Sequence, residues 1–255
     1  MALIELRHIF KRFGWLVVLN DVSLNIEKGQ CLVVIGASGS GKTVVLKHIV
    51  GLLKPDHGEV WFAGQRIDQL PERQLMQIRK RFGFLFQMGA LFDSETVENN
   101  VGFPLMEHTA KSPAQISQIV REKLALVGLR DVGNKMPAEL SGGQRKRVAL
   151  ARAIAMDPEV ILYDEPTTGL DPIRADVINE LILKIQSRLS VTSVVVTHDM
   201  HSAFKVADRI VMIHEAKLIF DGTPEQIRAS DNEHVKHFVS GEASEQELGA
   251  LRIGP

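Results

Sequence analysis

The run Cys31-Leu32-Val33-Val34-Ile35 passes directly into Gly36-Ala37-Ser38-Gly39-Ser40-Gly41-Lys42-Thr43, and a helical pattern follows over residues 43–53. Five apolar residues without alternation suit a strand covered on both faces, as in a parallel sheet between helices. The next eight match G-x-x-x-x-G-K-[ST] in the strand-loop-helix context that gives the pattern its meaning. Glycines let the backbone curl until several N–H groups face one anion. Lys42 adds a point charge for the β and γ phosphates, and the Thr43 hydroxyl can ligate Mg²⁺. An α/β fold built around a phosphate-binding loop is predicted.

A second stretch, residues 140–171, reads LSGGQRKRVALARAIAMDPEVILYDEPTTGLD. Ser141-Gly142-Gly143 opens an alanine-rich helix with a capping serine and two glycines, a start that attracts anions. Ser-Gly-Gly is also common loop chemistry, so its weight comes from its distance along the chain to the phosphate loop. Asp157-Pro158 breaks the helix, and Val160-Ile161-Leu162-Tyr163 reads as a second buried strand. Asp164 and Glu165 then fall at its carboxyl end, where open α/β sheets carry out their chemistry. One metal ligand and one base are expected there.

Composition narrows the function classes. The chain has 255 residues, 45% hydrophobic and 24% charged, enough for one large domain or two lobes sharing a core. Thirty basic residues against thirty-one acidic give a formal charge of −1. No global field holds nucleic acid, and no nucleic-acid partner is expected. The one cysteine, Cys31, sits in an apolar run and reads as a small core residue. No run approaches the roughly 18 apolar residues of a spanning helix, and the start lacks the apolar core of a signal peptide. A soluble or peripheral protein is expected.

In chain order, residues 3–9 and 16–26 read as antiparallel strands around a Lys11-to-Trp15 turn. Phe13 in that turn could stack on a nucleobase or fold into the core. A strand at 59–62 precedes a helix at 71–81, where Arg73, Arg79, Lys80 and Arg81 read as a solvated face. Residues 82–86 form a strand ending at Gln87, which can reach a metal or its water. The apolar loop 88–92 suits either packing or a partner. A short helix is expected near 97–101, and a Pro-bounded one at 112–127. Residues 88–157 thus form a helical lobe inserted into the α/β chain. Asp171 caps a helix running to Leu189, a strand at 193–197 leads to His198, and a hairpin over 209–220 is followed by an Asp221-Gly222 turn and a helix at 224–229. The domain is expected to span 1–240, with a polar tail at 241–255.

The phosphate loop, Gln87, the LSGGQ of 140–144, the ILYDE of 161–165, Gly169-Leu170-Asp171 and His198 together resemble the ATP-binding cassette ATPases over about residues 3–240. This implies a P-loop NTPase (RecA-like) core, an antiparallel β subdomain and an inserted α-helical subdomain, with ATP and Mg²⁺ as cofactors. By the same resemblance Phe13 stacks on adenine, where many members have tyrosine. The amides of Gly36, Ala37, Ser38, Gly39, Ser40 and Gly41 hold the phosphates with Lys42. Thr43 and Asp164 hold Mg²⁺, Gln87 senses metal and water, Glu165 is the general base, and His198 contacts the γ phosphate. Ser141, Gly142 and Gly143 bind the γ phosphate of ATP held by a second copy, and Gln144 and Asp171 join the nucleotide-binding set. Two anion-seeking helix starts with one phosphate loop suit a head-to-tail dimer enclosing two nucleotides.

A narrower likeness, in LYDEPTTGLDP, KRVALARAIAMDPE and FQMGALFDSETVENNVGFPLMEHT, is to the Mla-type phospholipid-trafficking ATPases of bacterial MCE-protein systems. Lys146 and Tyr163 set it apart from most importer ATPases. The likeness implies permease subunits docking near 88–92, an MCE-type lipid-binding partner, and a peripheral place on the cytoplasmic face of the inner membrane. The alternatives are another importer's ATPase, for amino acids for example, or a soluble non-transport protein of the same family.

Overall fold

The computed structural model describes residues 2–242; the tail expected at 241–255 lies outside the described residues from 243 onward. β1 (Ala2–Phe13) and β2 (Leu16–Glu27) form the first hairpin, β3 (Cys31–Ile35) enters the phosphate loop and α1 (Lys42–Ile49) leaves it. There follow β4 (His57–Phe62), β5 (Gln65–Arg66), α2 (Glu72–Arg79) and β6 (Phe82–Leu85). The helical lobe holds α3 (Val97–His108), α4 (Pro113–Leu126) and α5 (Gly142–Ala153). The chain then adds β7 (Val160–Asp164), α6 (Pro172–Leu189), β8 (Thr192–Val196) and α7 (Met200–Val206). It closes with β9 (Arg209–His214), β10 (Lys217–Gly222), α8 (Pro224–Arg228) and α9 (Glu233–Ser240).

Two sheets result. Antiparallel β2-β1-β4-β5 lies beside a six-stranded sheet ordered β10-β9-β3-β8-β7-β6, parallel from β9 to β6 with β10 antiparallel at its edge. The two-residue period of a strand divides the core. Cys31, Val33 and Ile35 of β3 and Ile161 and Tyr163 of β7 face α3 to α7. Leu32 and Val34, Val160 and Leu162 face α1 and the antiparallel sheet. The helical lobe shares the first of these cores through Val101, Leu124 and Val148, so it packs as part of the same body. Among the described residues no helix is long and apolar enough to cross a membrane.

Five expectations need correction. The first turn is shorter than the expected Lys11-to-Trp15: Lys11, Arg12 and Phe13 belong to β1, paired with Leu19, Val17 and Leu16, which leaves Gly14 and Trp15. The helix near 97–101 runs on to His108 with Pro104 inside it, because Val97, Val101 and Leu105 form a fully buried stripe. Asp221 and Gly222 belong to β10, paired with Val211 and Ile210, so they are not a turn. The basic run is no plain solvated face: Arg79 Nη2 donates to the Gly51 carbonyl at 2.7 Å, and Arg81 pairs with Glu159 at 2.6 Å. Lastly, α7 and α9 lie where no helix was expected.

Asn100, fully buried on α3, holds the loop before that helix. Its Oδ1 accepts from Phe92 N at 2.8 Å, and its Nδ2 donates to the carbonyls of Phe92, Glu95 and Thr96, each at 3.0 Å. Asn100→Ala leaves Phe92 N and the Glu95 carbonyl without this partner, while the Phe92 and Thr96 carbonyls keep their bonds from Glu95 N and Asn100 N, and it should lower unfolding free energy by about 3 kcal/mol. Urea unfolding measures this; a loss under about 0.5 kcal/mol would show that water replaces the side chain.

Candidate functional site

Four parallel strands place their carboxyl ends on one edge of the central sheet. In the order β3-β8-β7-β6 they deliver Gly36, His198, the Asp164-Glu165 pair and Gln87. At about 4.8 Å per strand the row spans about 14 Å, a length suited to a triphosphate and the groups that act on it.

The loop after β3 is a cradle with no room for side chains where it turns. A Cβ at Gly36 would meet the Ile213 carbonyl at 2.3 Å, and one at Gly41 the Val18 carbonyl at 2.8 Å. Both have positive φ, 149° and 98°. Ser40 Oγ is buried in the loop without a hydrogen-bond partner, as a group meant for a ligand would be. Lys42 is 6% exposed and its Nζ donates to the carbonyls of Gly36 at 2.8 Å and Ala37 at 2.9 Å. Burial pushes the Lys42 pKa down, opposed by Glu165 and Asp164.

Thr43, at the start of α1, donates its hydroxyl to Asp164 Oδ1 at 2.8 Å. Burial pushes the Asp164 carboxyl upward in spite of that bond, so the charged form calls for a cation. One hydroxyl and one carboxylate are hard oxygen donors, the set Mg²⁺ takes when phosphates and water fill its remaining positions.

Glu165 is the hub. Oε2 lies 2.9 Å from His198 Nδ1 and accepts from the Thr168 hydroxyl at 3.1 Å, while Oε1 lies 3.8 Å from Lys42 Nζ. Its φ is +49°, a left-handed conformation costing about 1 kcal/mol for a residue with a Cβ. The surrounding structure imposes it: Glu165 N donates to the Val196 carbonyl at 2.9 Å. The carboxylate thereby turns off the strand axis toward the loop. Sequence reasoning missed two groups here. Thr168 touches the carboxylate, and Lys146, 7% exposed, donates to the carbonyls of Gln87 and Glu165. A signal for Lys146 existed: it stands three residues after Gly143 and four before Leu150, on the stripe of α5 that turns inward.

The second anion-seeking element is also formed. Ser141 Oγ accepts from Gln144 N at 3.3 Å and Gln144 Oε1 from Ser141 N at 2.9 Å, a reciprocal capping box. The first amides of α5, at Gly142 and Gly143, have no acceptor within the helix. Beside them lie Leu170 and Arg174: Cβ atoms on the two glycines would stand 3.9 Å from Leu170 Cδ2 and 3.5 Å from Arg174 Cδ. Asp171 caps α6, its Oδ1 accepting from Arg174 N at 3.0 Å. Among the described residues no hydrogen bond or ion pair joins Ser141, Gly142, Gly143, Gln144 or Asp171 to the phosphate loop. Gln87 enters the hydrogen-bond network through its carbonyl. Phe13 is 47% exposed, not folded into the core; Lys11 Nζ lies 5.5 Å from its ring. The hollow beside Gly39 and Ser40 is lined instead by Leu16, Val17 and Val18.

A family model described as ABC transporter matches residues 19–168. The chain belongs to the ABC transporter family. It is an ATP-binding and ATP-hydrolysing cassette, with the P-loop NTPase core, antiparallel sheet and helical subdomain of ABC ATPases. The intermembrane phospholipid transport system ATP-binding protein MlaF of Haemophilus influenzae is 45% identical over 241 residues, 94% of this chain and 91% of that protein. The probable ribonucleotide transport ATP-binding protein mkl of Mycobacterium tuberculosis (strain H37Rv) is 42% identical over 252 residues, 99% of this chain and 68% of that protein. Among solved structures, the dimeric post-hydrolysis state of the ATP-binding cassette MJ0796 bound to ADP and Pi matches this ABC cassette with a TM-score of 0.80. It does so at 34% identity, over 87% of this chain and 98% of that one.

Proposed function

We propose that this ABC cassette powers phospholipid movement between the inner and outer membranes, working as a head-to-tail pair on the cytoplasmic face of the inner membrane. The observation that carries the cargo is the 45% identity, nearly end to end, with a protein named for intermembrane phospholipid transport. The ATPase subunit does not touch cargo, so the cargo is inferred through kinship.

We infer the residue roles from the family's pattern, and the geometry above supports those of Lys42, Thr43, Asp164, Glu165 and His198. Lys42 and the amides of 36–41 bind the β and γ phosphates, and Phe13 with the Val17 surface serves the base. Thr43 and Asp164 hold Mg²⁺, with Gln87 reaching its water; when bound, the ion neutralises charge building on the phosphate oxygens. Glu165 takes the proton of the attacking water, and His198, bonded to the Glu165 carboxylate, orients it and reaches the γ phosphate. Gly142 and Gly143 amides, with Ser141, Gln144 and Asp171, close over the nucleotide of a second copy. Donors on both sides of the γ phosphate are stronger with water excluded.

For the membrane subunits the structure offers a groove at the join of the helical lobe and the sheet. Phe82, Phe84, Phe86, Phe92 and Phe103 line it together with Arg79 and Arg152. Met88, 88% exposed, stands beside it. Isolation of the intact complex from membranes should recover a multi-span permease, an MCE-type lipid-binding protein and bound phospholipid. The likeness to mkl supports a second reading, ribonucleotide transport. A solute permease without an MCE-type protein would overturn the phospholipid assignment in its favour.

A further inference from the structure

Among the described residues two buried lysines are left over when the phosphate loop, the carboxylates and the histidine have their roles; Lys123 is paired with Asp157, and Lys146 has no carboxylate in an ion pair. Lys146 lies on α5 with 7% of its surface exposed. An ammonium taken out of water must be satisfied by acceptors, and here both are main-chain: the Gln87 carbonyl, and the Glu165 carbonyl at 3.2 Å. These groups lie just past the ends of the neighbouring strands β6 and β7. A grip on main chain fixes where the Gln87 and Glu165 side chains begin. Glu165 has need of it, since its backbone is in the left-handed region and its N–H is already held by the Val196 carbonyl. Lys146 secures the other side of the same residue.

The helix that carries Lys146 begins at the capping Ser141. Five residues separate the two, 146 − 141, or about 7.5 Å of rigid helix at 1.5 Å per residue. A shift or tilt at the helix start therefore arrives at both carbonyls through one short lever. We propose that Lys146 is a positioning residue that couples the start of α5 to the attacking-water site. Engagement of Ser141 and the following glycines by the opposing nucleotide sets, through the Lys146 ammonium, the backbone of Gln87 and Glu165 for hydrolysis. The inference rests on the reading of Glu165 as base and Gln87 as metal and water contact.

The test compares two variants of the full chain. Lys146→Met keeps an unbranched apolar stem, one atom shorter, and removes every donor. Lys146→Gln keeps two N–H donors for the two carbonyls. A misplacement of about 1 Å at a reacting group can cost on the order of 100-fold, so kcat of Lys146→Met should fall by at least about tenfold, with KM for ATP and melting temperature little changed. Lys146→Gln should keep kcat within about threefold of the unsubstituted chain. Unaltered kcat in Lys146→Met would overturn the proposal. So would a loss of kcat in both variants that tracks a lowered melting temperature, since that is the mark of simple packing. If Lys146→Met does not fold, Lys146→Gln decides: kcat within threefold at normal KM supports the proposal, and a fall with the melting temperature overturns it. Glu165→Gln, measured alongside, separates the two levels: if it keeps full turnover, the reading of the site fails; if it loses turnover while Lys146→Met does not, only this inference fails.

Discussion

Glu165→Gln should lower the rate of ATP hydrolysis by at least about 100-fold while ATP still binds, because a positioned general base contributes 10²–10⁴ and an amide cannot accept the proton. The substitution preserves the shape of a side chain that is 11% exposed. It can preserve much of the local bonding as well, since an amide oxygen can still accept from Thr168, now at 3.1 Å. What disappears is a negative charge 3.8 Å from Lys42 Nζ. That charge competes with the γ phosphate for the lysine, so nucleotide should be held at least as tightly, and the pair of copies should persist on ATP in size-exclusion chromatography. Turnover close to that of the unsubstituted chain would remove Glu165 from the role of base.

Lys42→Ala should act on the other parameter. The side chain is buried, supplies the one ammonium inside the phosphate loop's curve and donates to the carbonyls of Gly36 and Ala37. Hydrogen bonds to charged groups contribute about 1.5–3 kcal/mol each, so losing the lysine should raise the ATP dissociation constant by about 10- to 100-fold. Titration with a fluorescent ATP analogue measures it directly. Hydrolysis falls with occupancy, but the Glu165-His198 pair at 2.9 Å has no need of Lys42 to form. An unchanged dissociation constant would place the main phosphate contacts on the backbone amides alone.

Much of this site was legible in the chain because its chemistry is concentrated where one strand stops. Val160 to Tyr163 announce a buried strand, so the next two carboxylates had to emerge at its end, and β3 placed Gly36 at the same edge. Parallel pairing does the rest, carrying His198 and Gln87 to neighbouring positions. What stayed hidden depends on contacts across long separations. Lys146 meets Gln87 from 59 residues away: its place on the inward stripe of α5 was readable, but the carbonyls it reaches were not. The extent of α3 was hidden for a related reason: Pro104 signals an end, but burial of Val97, Val101 and Leu105 outweighs it. The inward-facing cores of β3 and β7 were readable as apolar runs; which face each residue takes was set by the helices that cover them.

Cys31 is completely enclosed in β3, and burial together with Asp208 pushes its thiol far above the ordinary range. The chain has no other cysteine. It is therefore silent toward maleimide dyes without any engineering, and one thiol introduced on an outward position such as Arg121 would be its sole attachment point. Two copies labelled there with a donor and an acceptor fluorophore could report, by energy transfer, how far apart the lobes stand at each stage of the nucleotide cycle.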